Sequence, residues 1–275
     1  MLYSFSAVNK YFAVNEHRKY QRQVISMELS VIANQLPLGV IGKKEILETA
    51  VKNGLALSPS SIYWVIKRLI QEGSLARVGR DKYMINFGES SRLVYLYTFS
   101  EGLKEIVDAL TSEYSMMRFQ AWEAFQYNYF VTHLIAHNLY FIEVEDMLED
   151  AAFEFLREHC GGNVLLKPNL RTCMTYARQN TVIVQNIVSE APFNRNNPHG
   201  VVLEKLLVDM MTDPKISLFI EEHEHAHVLE DAFSRYIIDE SRFFRYARRR
   251  NAERRIKDFI HGYTNIKLLG DAEHD

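Results

Sequence analysis

The chain contains little cysteine. Cys160 and Cys173 are its two cysteines among 275 residues, and they do not form a C-x-x-C pair. A disulfide scaffold needs more cysteines than this, so the sequence predicts a protein of a reducing compartment. The sequence also has no uninterrupted apolar run of about 18 residues, and its first residues show no basic segment followed by an apolar one. Export and membrane spanning are therefore not expected, and a cytoplasmic location is predicted.

Motifs for binding phosphate or activating a nucleophile are also missing from the sequence. It contains no P-loop, no G-x-G-x-x-G, and no Ser or Cys nucleophile elbow. Low-complexity segments and internal repeats are not detectable either. These absences remove the commonest signatures of nucleotide-binding enzymes and hydrolases, so we expect no enzymatic activity and no cofactor.

The charge of the chain is unevenly distributed along its length. Residues 1–90 hold 12 Lys and Arg against 7 Asp and Glu, whereas residues 91–275 hold 20 against 28. A chain of 275 residues with 47% hydrophobic content is large enough for two modest cores. The polar stretch 86–92 contains Gly88, Ser90 and Ser91 and is the best candidate for the boundary. We therefore predict a basic domain at 1–90 and an acidic domain at 91–275, with a polyanion as the natural partner of the basic one.

Residues 43–86 carry the most informative pattern of the chain. Apolar residues at helical spacing within 43–53 predict a helix, and Gly54 and the turn at 58–61 separate it from a second one. The second helix follows the amphipathic template, with an apolar stripe predicted to be buried: Ile62, Val65, Ile66, Leu69 and Ile70. Gly73 ends this helix, and residues 75–85 predict a hairpin. This order of elements predicts a winged helix-turn-helix.

The polar side of this pattern supplies candidate DNA contacts. A helix that enters the major groove presents donors to phosphates and base edges, and hydroxyl groups at its N-terminal end bind phosphate. The candidates on the helix and on the hairpin are Ser60, Ser61, Tyr63, Trp64, Lys67, Arg68, Arg77, Arg80 and Lys82. The alternative is a domain of the same fold that contacts only protein and whose charged face is simply solvated.

Strand and helix patterns alternate after the boundary, which predicts an α/β domain with βαβ units (α+β for the chain as a whole) and a helical C-terminal part. The predicted strands are 93–97, 116–122, 139–144, 163–167 and 181–188. The predicted helices are 100–111 with Ser100 as its cap, 123–136, 146–158 with Asp146 as its cap, 204–211, 221–237 and a basic helix at 241–260.

The order of these elements resembles the AbiEi family of antitoxins and transcriptional regulators from bacterial abortive-infection systems. The resemblance rests on the strand and helix of 139–155, the strands at 163–167 and 181–188, and the sequence Leu-Glu-Lys-Leu-Leu-Val-Asp at 203–209. It implies that the winged domain binds inverted repeats in its own promoter, as a homodimer. It also implies that the second domain supports cooperative binding and counters a nucleotidyltransferase-like toxin encoded beside it.

One motif points to a different class of protein, a metal-dependent hydrolase with a regulatory winged domain. Residues 223–227 read His-Glu-His-Ala-His and match H-E-x-x-H, in which two imidazoles four residues apart on one helix face bind zinc. The neighbourhood is strongly acidic, with Glu221 and Glu222 before the first histidine, whereas a zinc-protease helix is buried and apolar. A solvated face is therefore the preferred interpretation, and no metal is predicted.

A metal-dependent nuclease is a second enzymatic hypothesis. Glu143, Glu145 and Asp146 cluster at the end of one predicted strand, and Lys167 ends the next one. Carboxylates and a lysine at neighbouring strands are the groups that hold a divalent cation for phosphodiester cleavage. The spacing does not give an acid and a lysine on one strand, however, so we expect these carboxylates to be structural.

The basic helix also has two interpretations. Residues 242–257 contain eight Lys and Arg and one acid, Glu253. The preferred interpretation is a docked helix whose arginines pair with segment 204–241, where ten acids outnumber three bases. The alternative is a second surface for nucleic acid.

Overall fold

The computed structural model describes residues 29, 32–37, 40–53, 62–85, 92–194 and 197–269. Internal contacts divide the chain into two units, Met1–Ser91 and Arg92–Asp275. Both units combine helices with a sheet, so the predicted mixed α/β class is confirmed. Within the described ranges, no helix is both long and apolar enough to cross a membrane.

The first unit contains a three-stranded antiparallel sheet and two described helices. Its elements are β1 (Val40–Gly42), α1 (Lys43–Lys52), α2 (Ile62–Gln71), β2 (Leu75–Gly79) and β3 (Lys82–Ile85). Strand β3 lies in the centre of the sheet, with Met84 opposite Val40 of β1 and opposite Ala76 of β2. The short strand β1 has no counterpart in the sequence prediction, because three residues are too few to show an alternating pattern.

Helix α2 buries one side of its amphipathic surface in the core of this unit. Ile62, Val65 and Leu69 are completely buried. The prediction that Ile70 is buried with them is wrong, since its side chain is 38% exposed. Successive residues of a helix are separated by about 100°, so Ile70 lies about 80° around the helix from Ile62, at the edge of the apolar stripe.

The second unit is organised on a four-stranded mixed sheet in the order β4-β5-β7-β6. Strands β5, β6 and β7 are mutually parallel, and β4 is antiparallel to β5. The strands are β4 (Phe119–Glu123), β5 (Leu139–Val144), β6 (Val164–Leu166) and β7 (Thr181–Asn186). Parallel strands joined by helices confirm the predicted βαβ units.

Helices cover both faces of this sheet. They are α3 (Glu101–Glu113), α4 (Glu149–His159), α5 (Leu170–Tyr176), α6 (Leu203–Thr212), α7 (His225–Arg235), α8 (Glu240–Arg249) and α9 (Glu253–Tyr263). Alternate residues of β5 point to opposite faces of the sheet. Ile142 packs in the core under α3 and α4, whereas Phe141 packs in the core under the C-terminal helices. This alternation follows from the two-residue period of a strand.

Two predicted elements are absent from this part of the chain. The predicted helix 123–136 is a short 3₁₀ helix, Ala124–Tyr129, followed by irregular chain. Asn138 Oδ1 accepts from the N–H of Phe125, and Asn128 Oδ1 accepts from the N–H of Ile135. These bonds satisfy the backbone outside a helix. The predicted strand 93–97 is reduced to one bridge, in which Leu93 pairs with Tyr236.

Two helices begin later than the sequence predicts. Asp146 does not cap α4, because Met147 has a φ of +73° and the helix starts only at Glu149. Helix α7 starts at His225, after a 3₁₀ turn at Glu222–Glu224. The Ser100 cap of α3 is confirmed, since its side chain accepts a hydrogen bond from the N–H of Leu103.

The predicted basic helix 241–260 is two helices rather than one. Helix α8 ends at Arg249 and α9 begins at Glu253. Asn251, between them, has a φ of +53°, in the left-handed region that interrupts a right-handed helix. The chain therefore turns at a point where charge and apolar spacing predicted continuity.

Candidate functional site

The outward side of α2 presents aromatic and basic side chains together. Tyr63 is 55% exposed, Trp64 is 51% exposed, and Lys67 is also exposed. They alternate with buried residues such as Val65 because a helix turns by about 100° per residue. Large aromatic side chains are usually at least partly covered in a folded domain, so a half-exposed pair beside a lysine is a candidate binding surface.

A further cation joins this surface from α1. The Nζ atom of Lys43 lies 3.7 Å from the ring centroid of Tyr63, within the range of a cation–π contact. Lys43 is not among the residues predicted from the sequence, because it precedes Tyr63 by twenty residues and the segment between them shows no periodic link. The contact places a positive charge next to the exposed aromatic pair.

Arg68 is less available than Lys67. Its Nε atom lies 2.9 Å from Oε1 of Glu72, one helical turn further on. Such a pair at a partly exposed helix position is weak. Ser60 and Ser61, predicted at the start of the same helix, lie outside the described residues.

The three basic candidates of the hairpin occupy different positions. Arg77 lies on β2, and its Nε donates to the carbonyl oxygen of Gly79 at 3.0 Å. Arg80 is exposed in the turn, beside Asp81 with its φ of +52°. Lys82 begins β3 and is half-buried. Arg80 is thus the hairpin candidate that lies at the tip.

The histidine motif does not form the helix geometry that zinc proteases use. His223 lies in the 3₁₀ turn and His227 lies on α7, so the two histidines are not one turn apart on a single α-helix. His223 Nδ1 instead pairs with Glu221 Oε2 at 3.2 Å, where both side chains are exposed. His225 is half-buried, and burial lowers its pKa. Over the described part of the chain, no three His, Cys, Asp or Glu side chains are grouped so as to hold a metal ion.

The carboxylates of the nuclease hypothesis are separated by their contacts. Glu143 is buried and accepts a hydrogen bond from Trp122 Nε1 at 2.9 Å. Glu145 accepts from the backbone N–H of Arg118 at 3.2 Å. Lys167 pairs with Glu149 instead of with either of them. The cluster of acids and a lysine that the nuclease hypothesis requires is therefore not formed.

Glu143 belongs to a buried ionic network that links β5 to α6 and α8. Lys205 Nζ lies 2.8 Å from Oε1 of Glu143 and 2.5 Å from Oδ2 of Asp209. Tyr246 Oη donates to the other oxygen of Asp209 at 2.9 Å. Burial by itself lowers the pKa of Lys205, but the carboxylates of Asp209 and Glu143 outweigh it and raise that pKa above its ordinary value. Because its charged groups are buried and closed to solvent, we interpret the network as a structural link between β5, α6 and α8.

The arginines of the basic segment pair only in part as predicted. Arg242 lies 3.5 Å from Glu204, and Arg250 lies 3.6 Å from Asp209, both within the acidic segment 204–241. Arg248 pairs instead with Glu253 of α9, at 2.7 Å. Arg249 Nε donates to Ser189 Oγ at 2.9 Å. The prediction is therefore wrong for Arg248 and Arg249, and also for Arg254, which pairs with Asp258.

Comparison with known proteins establishes the family of the chain. Residues 61–266 match the model of the family described as "Family of unknown function (DUF6577)", which is more than half of the chain. The chain belongs to this family. No curated protein sequence matches it.

A solved structure that is similar in part is the crystal structure of RV2827C protein from Mycobacterium tuberculosis. The two chains are 11% identical, and the alignment covers 88% of this chain and 81% of that chain with a TM-score of 0.24. A TM-score of this size does not establish a common fold.

Proposed function

We propose that this protein is a DNA-binding transcriptional autoregulator and the antitoxin of an AbiE-like toxin–antitoxin system. In this proposal the first unit is a winged helix-turn-helix that binds operator DNA in its own promoter. The second unit is the effector domain that counters a nucleotidyltransferase-like toxin. The protein works in the cytoplasm and without enzymatic chemistry.

One observation carries the DNA-binding part of the proposal. Helix α2 is buried along one side and presents Tyr63, Trp64 and Lys67 on the other, and an antiparallel hairpin with Arg80 at its tip follows it directly. A recognition helix needs this combination: an apolar side that fixes it to its domain and an opposite side that donates to the groove. The hairpin takes the role of the wing.

The candidate residues divide into two roles. Lys67, Arg77, Arg80 and Lys82 supply phosphate contacts, which account for most of the affinity and none of the sequence choice. Ser60, Ser61, Tyr63, Trp64 and Arg68 supply contacts near the groove, where hydrogen bonds and apolar contacts to base edges give sequence preference. Lys43, which lies against Tyr63, joins the phosphate-binding group.

The charge distribution supports the same assignment. The first 90 residues are basic and the rest of the chain is acidic. An acidic second domain is repelled by DNA, so the attraction is confined to the first unit. The antitoxin part of the proposal rests on the resemblance to the AbiEi family, which also supplies the homodimer on inverted repeats.

Fluorescence anisotropy with the full chain tests the proposal. The protein is titrated into its own upstream duplex and into a scrambled duplex, at about 50 and about 150 mM salt, a range over which phosphate contacts weaken strongly. We expect a preference for the upstream duplex at both concentrations. Lys67→Ala/Arg68→Ala should abolish that preference.

The matched control for this test is Lys104→Ala/Arg254→Ala, which removes the same charge from exposed positions of the second unit. It should bind like the natural chain. Equal binding to both duplexes that disappears at the higher salt would reduce the interaction to general electrostatics and overturn the proposal. Complete absence of binding would favour a protein-contact domain.

A further inference from the structure

A polar cleft of about 560 Å³ opens in the second unit, and all the residues that line it belong to that unit. Its wall contains four cationic side chains, those of Lys167, Lys215, Arg249 and Arg250. Asp213 is the one carboxylate residue among those that line it. The volume lies within the range of small-molecule sites, and the excess of positive charge favours an anion.

The cleft lies where the fold predicts a ligand site. Lys167 directly follows the end of β6, and Asn186 is the last residue of β7. The carboxyl ends of parallel strands in an open α/β sheet form the crevice in which such folds bind ligands. The turn between α8 and α9 closes the other side of the cleft with Arg249, Arg250 and Asn251.

Two of the lining residues have a left-handed backbone conformation. Lys167 has a φ of +43° and Asn251 has a φ of +53°. The left-handed region is uncommon for residues other than glycine, and it is more unusual for a lysine than for an asparagine. Such residues concentrate at functional sites, where the surrounding structure holds them. Lys167 lies directly after β6 and Asn251 lies in the turn between α8 and α9, so both are at chain turns that line the cleft.

The present partners of the cations leave room for a stronger anion. Arg249 Nε donates to the neutral hydroxyl of Ser189 at 2.9 Å, and the nearest carboxylate, that of Glu190, is 3.9 Å away. Lys167 pairs with Glu149 from a position that is nearly half exposed. A phosphate group is a stronger acceptor for both side chains, since it offers several charged oxygens.

The two remaining cations are held more deeply. Lys215 lies 2.9 Å from Asp213, and Arg250 donates to Thr212 Oγ1 at 2.9 Å. Arg250 also lies 3.6 Å from Asp209, so it connects the cleft wall to the buried ionic network. These contacts fix the two side chains before a ligand arrives, which reduces the ordering cost of binding.

We propose that this cleft is a binding site for a small ligand that carries two or more phosphate groups, of the size of a nucleoside triphosphate. Lys167 and Arg249 bind the terminal phosphates, and Arg250 binds the inner one. The amides of Asn186 and Asn251 contact the sugar or base. The site is distinct from the DNA surface of the proposed function and does not depend on it.

Isothermal titration calorimetry on the full chain tests this proposal. The probes are ATP, GTP, CTP and UTP, with sodium tripolyphosphate as the ligand that has the phosphates but no nucleoside. Binding of one triphosphate at one site per chain is the expected result. Tighter binding of one nucleotide than of tripolyphosphate identifies a nucleotide site, whereas equal binding of all five identifies a polyphosphate site.

Variants locate the binding in the cleft. Lys167→Ala and Arg249→Ala should each lower the affinity about tenfold, because each removes a charge-assisted hydrogen bond. Glu149→Gln should raise the affinity, since it releases Lys167 from its present partner. Arg254→Ala, at a side chain that is 96% exposed and outside the cleft, should leave it unchanged. Thermal unfolding of each variant checks that it is folded.

No heat of binding with any of the five probes at millimolar concentration would overturn the proposal. Binding that is equally strong in Lys167→Ala, Arg249→Ala and Arg254→Ala would overturn it as well, because the ligand would then lie elsewhere. Lys67→Ala/Arg68→Ala should bind the triphosphate normally. Failure of this proposal is therefore distinguishable from failure of DNA binding.

Discussion

The ammonium group of Lys205 lies 2.8 Å from Oε1 of Glu143, and both side chains are almost completely buried. Glu143 lies in the central region of the sheet, on β5, and Lys205 lies on α6. The pair thus connects the sheet to the helix that covers it. Asp209 adds a second carboxylate 2.5 Å from the ammonium group, and Arg250, 3.6 Å from Asp209, supplies the second positive charge. Burial raises the pKa of Asp209, against the opposing effect of Lys205, so the carboxylate depends on that cation to stay ionised.

Removal of the lysine charge should destabilise the second unit strongly. Lys205→Met keeps most of the side-chain volume but leaves Glu143 and Asp209 as buried carboxylates without their cation. Breaking a buried pair in this way costs about 3–5 kcal/mol. Urea unfolding followed by tryptophan fluorescence measures the free energy of unfolding. Lys104→Met, at an exposed position of α3, should change that free energy by no more than about 0.5 kcal/mol. An equal effect of the two substitutions would contradict the structural role of the network.

Loss of an exposed aromatic ring should affect DNA binding more than stability. Trp64→Ala should weaken binding to the upstream duplex about tenfold, which corresponds to about 1.4 kcal/mol. The melting temperature should change little, because half of this side chain is already in water. Tyr176→Ala removes an exposed aromatic ring from the second unit and serves as the control in the same anisotropy measurement. Normal binding by Trp64→Ala would remove this ring from the proposed interface.

The turn between α8 and α9 should tolerate glycine and resist a β-branched residue at position 251. The backbone N–H of Asn251 donates to the carbonyl oxygen of Arg248 at 3.0 Å, and the backbone N–H of Ala252 donates to the carbonyl oxygen of Ala247 at 2.9 Å. These two bonds form the pattern of a Schellman C-cap. Asn251→Gly suits the left-handed conformation, whereas Asn251→Val should cost about 1–3 kcal/mol. Thermal unfolding of the two variants compares them directly. Equal stability would mean that the turn does not depend on this conformation.

The pair of Glu149 and Lys167 predicts a pH dependence of stability. The hydrogen bond from Lys167 lowers the pKa of Glu149 to about 2, from an ordinary value of 4.5. A lowered pKa means that the folded state binds the proton less readily than the unfolded state does. The contribution of Glu149 is therefore present above pH 4.5 and is lost as the pH falls towards 2.

Glu149→Gln isolates this contribution, because glutamine keeps the shape and does not titrate. The natural chain should melt at a higher temperature than the variant at pH 7, and the difference should shrink between pH 4.5 and pH 3. Circular dichroism melts at several pH values measure it. A difference in melting temperature that is the same at every pH would show that Glu149 is not the titrating group.

Much of the architecture follows from local patterns in the sequence, such as apolar periodicity and helix capping. The apolar strand 139–144, the strand that begins at Thr181 and the helix capped by Ser100 all appear where periodicity and capping predict them. The stripe of Ile62, Val65 and Leu69 likewise specifies which side of α2 is buried. Local signals suffice in these cases because strand alternation and helical spacing are set by backbone geometry, not by distant partners.

Other features depended on contacts between distant residues. The irregular chain after Tyr129 results from amide side chains that bond the backbone, and no periodic pattern records such bonds. The turn at Asn251 depends on one residue with a positive φ, within a segment whose charges predicted a continuous helix. Lys43 reaches Tyr63 from a separate helix.

Taken by itself, the sequence determined the mixed class of the fold, most of its strands and the burial of one side of α2, because each is encoded within a few turns or strand residues. Only the tertiary structure decided the role of Glu143. The sequence places Glu143 beside Glu145 and Asp146 at the end of one strand, whereas in the folded protein Glu143 is buried against Lys205. The cleft could not be predicted from the sequence either, since its cations come from positions 167, 215, 249 and 250. Side chains so far apart in the chain meet only when strands and helices pack, and packing depends on the whole domain rather than on any local window.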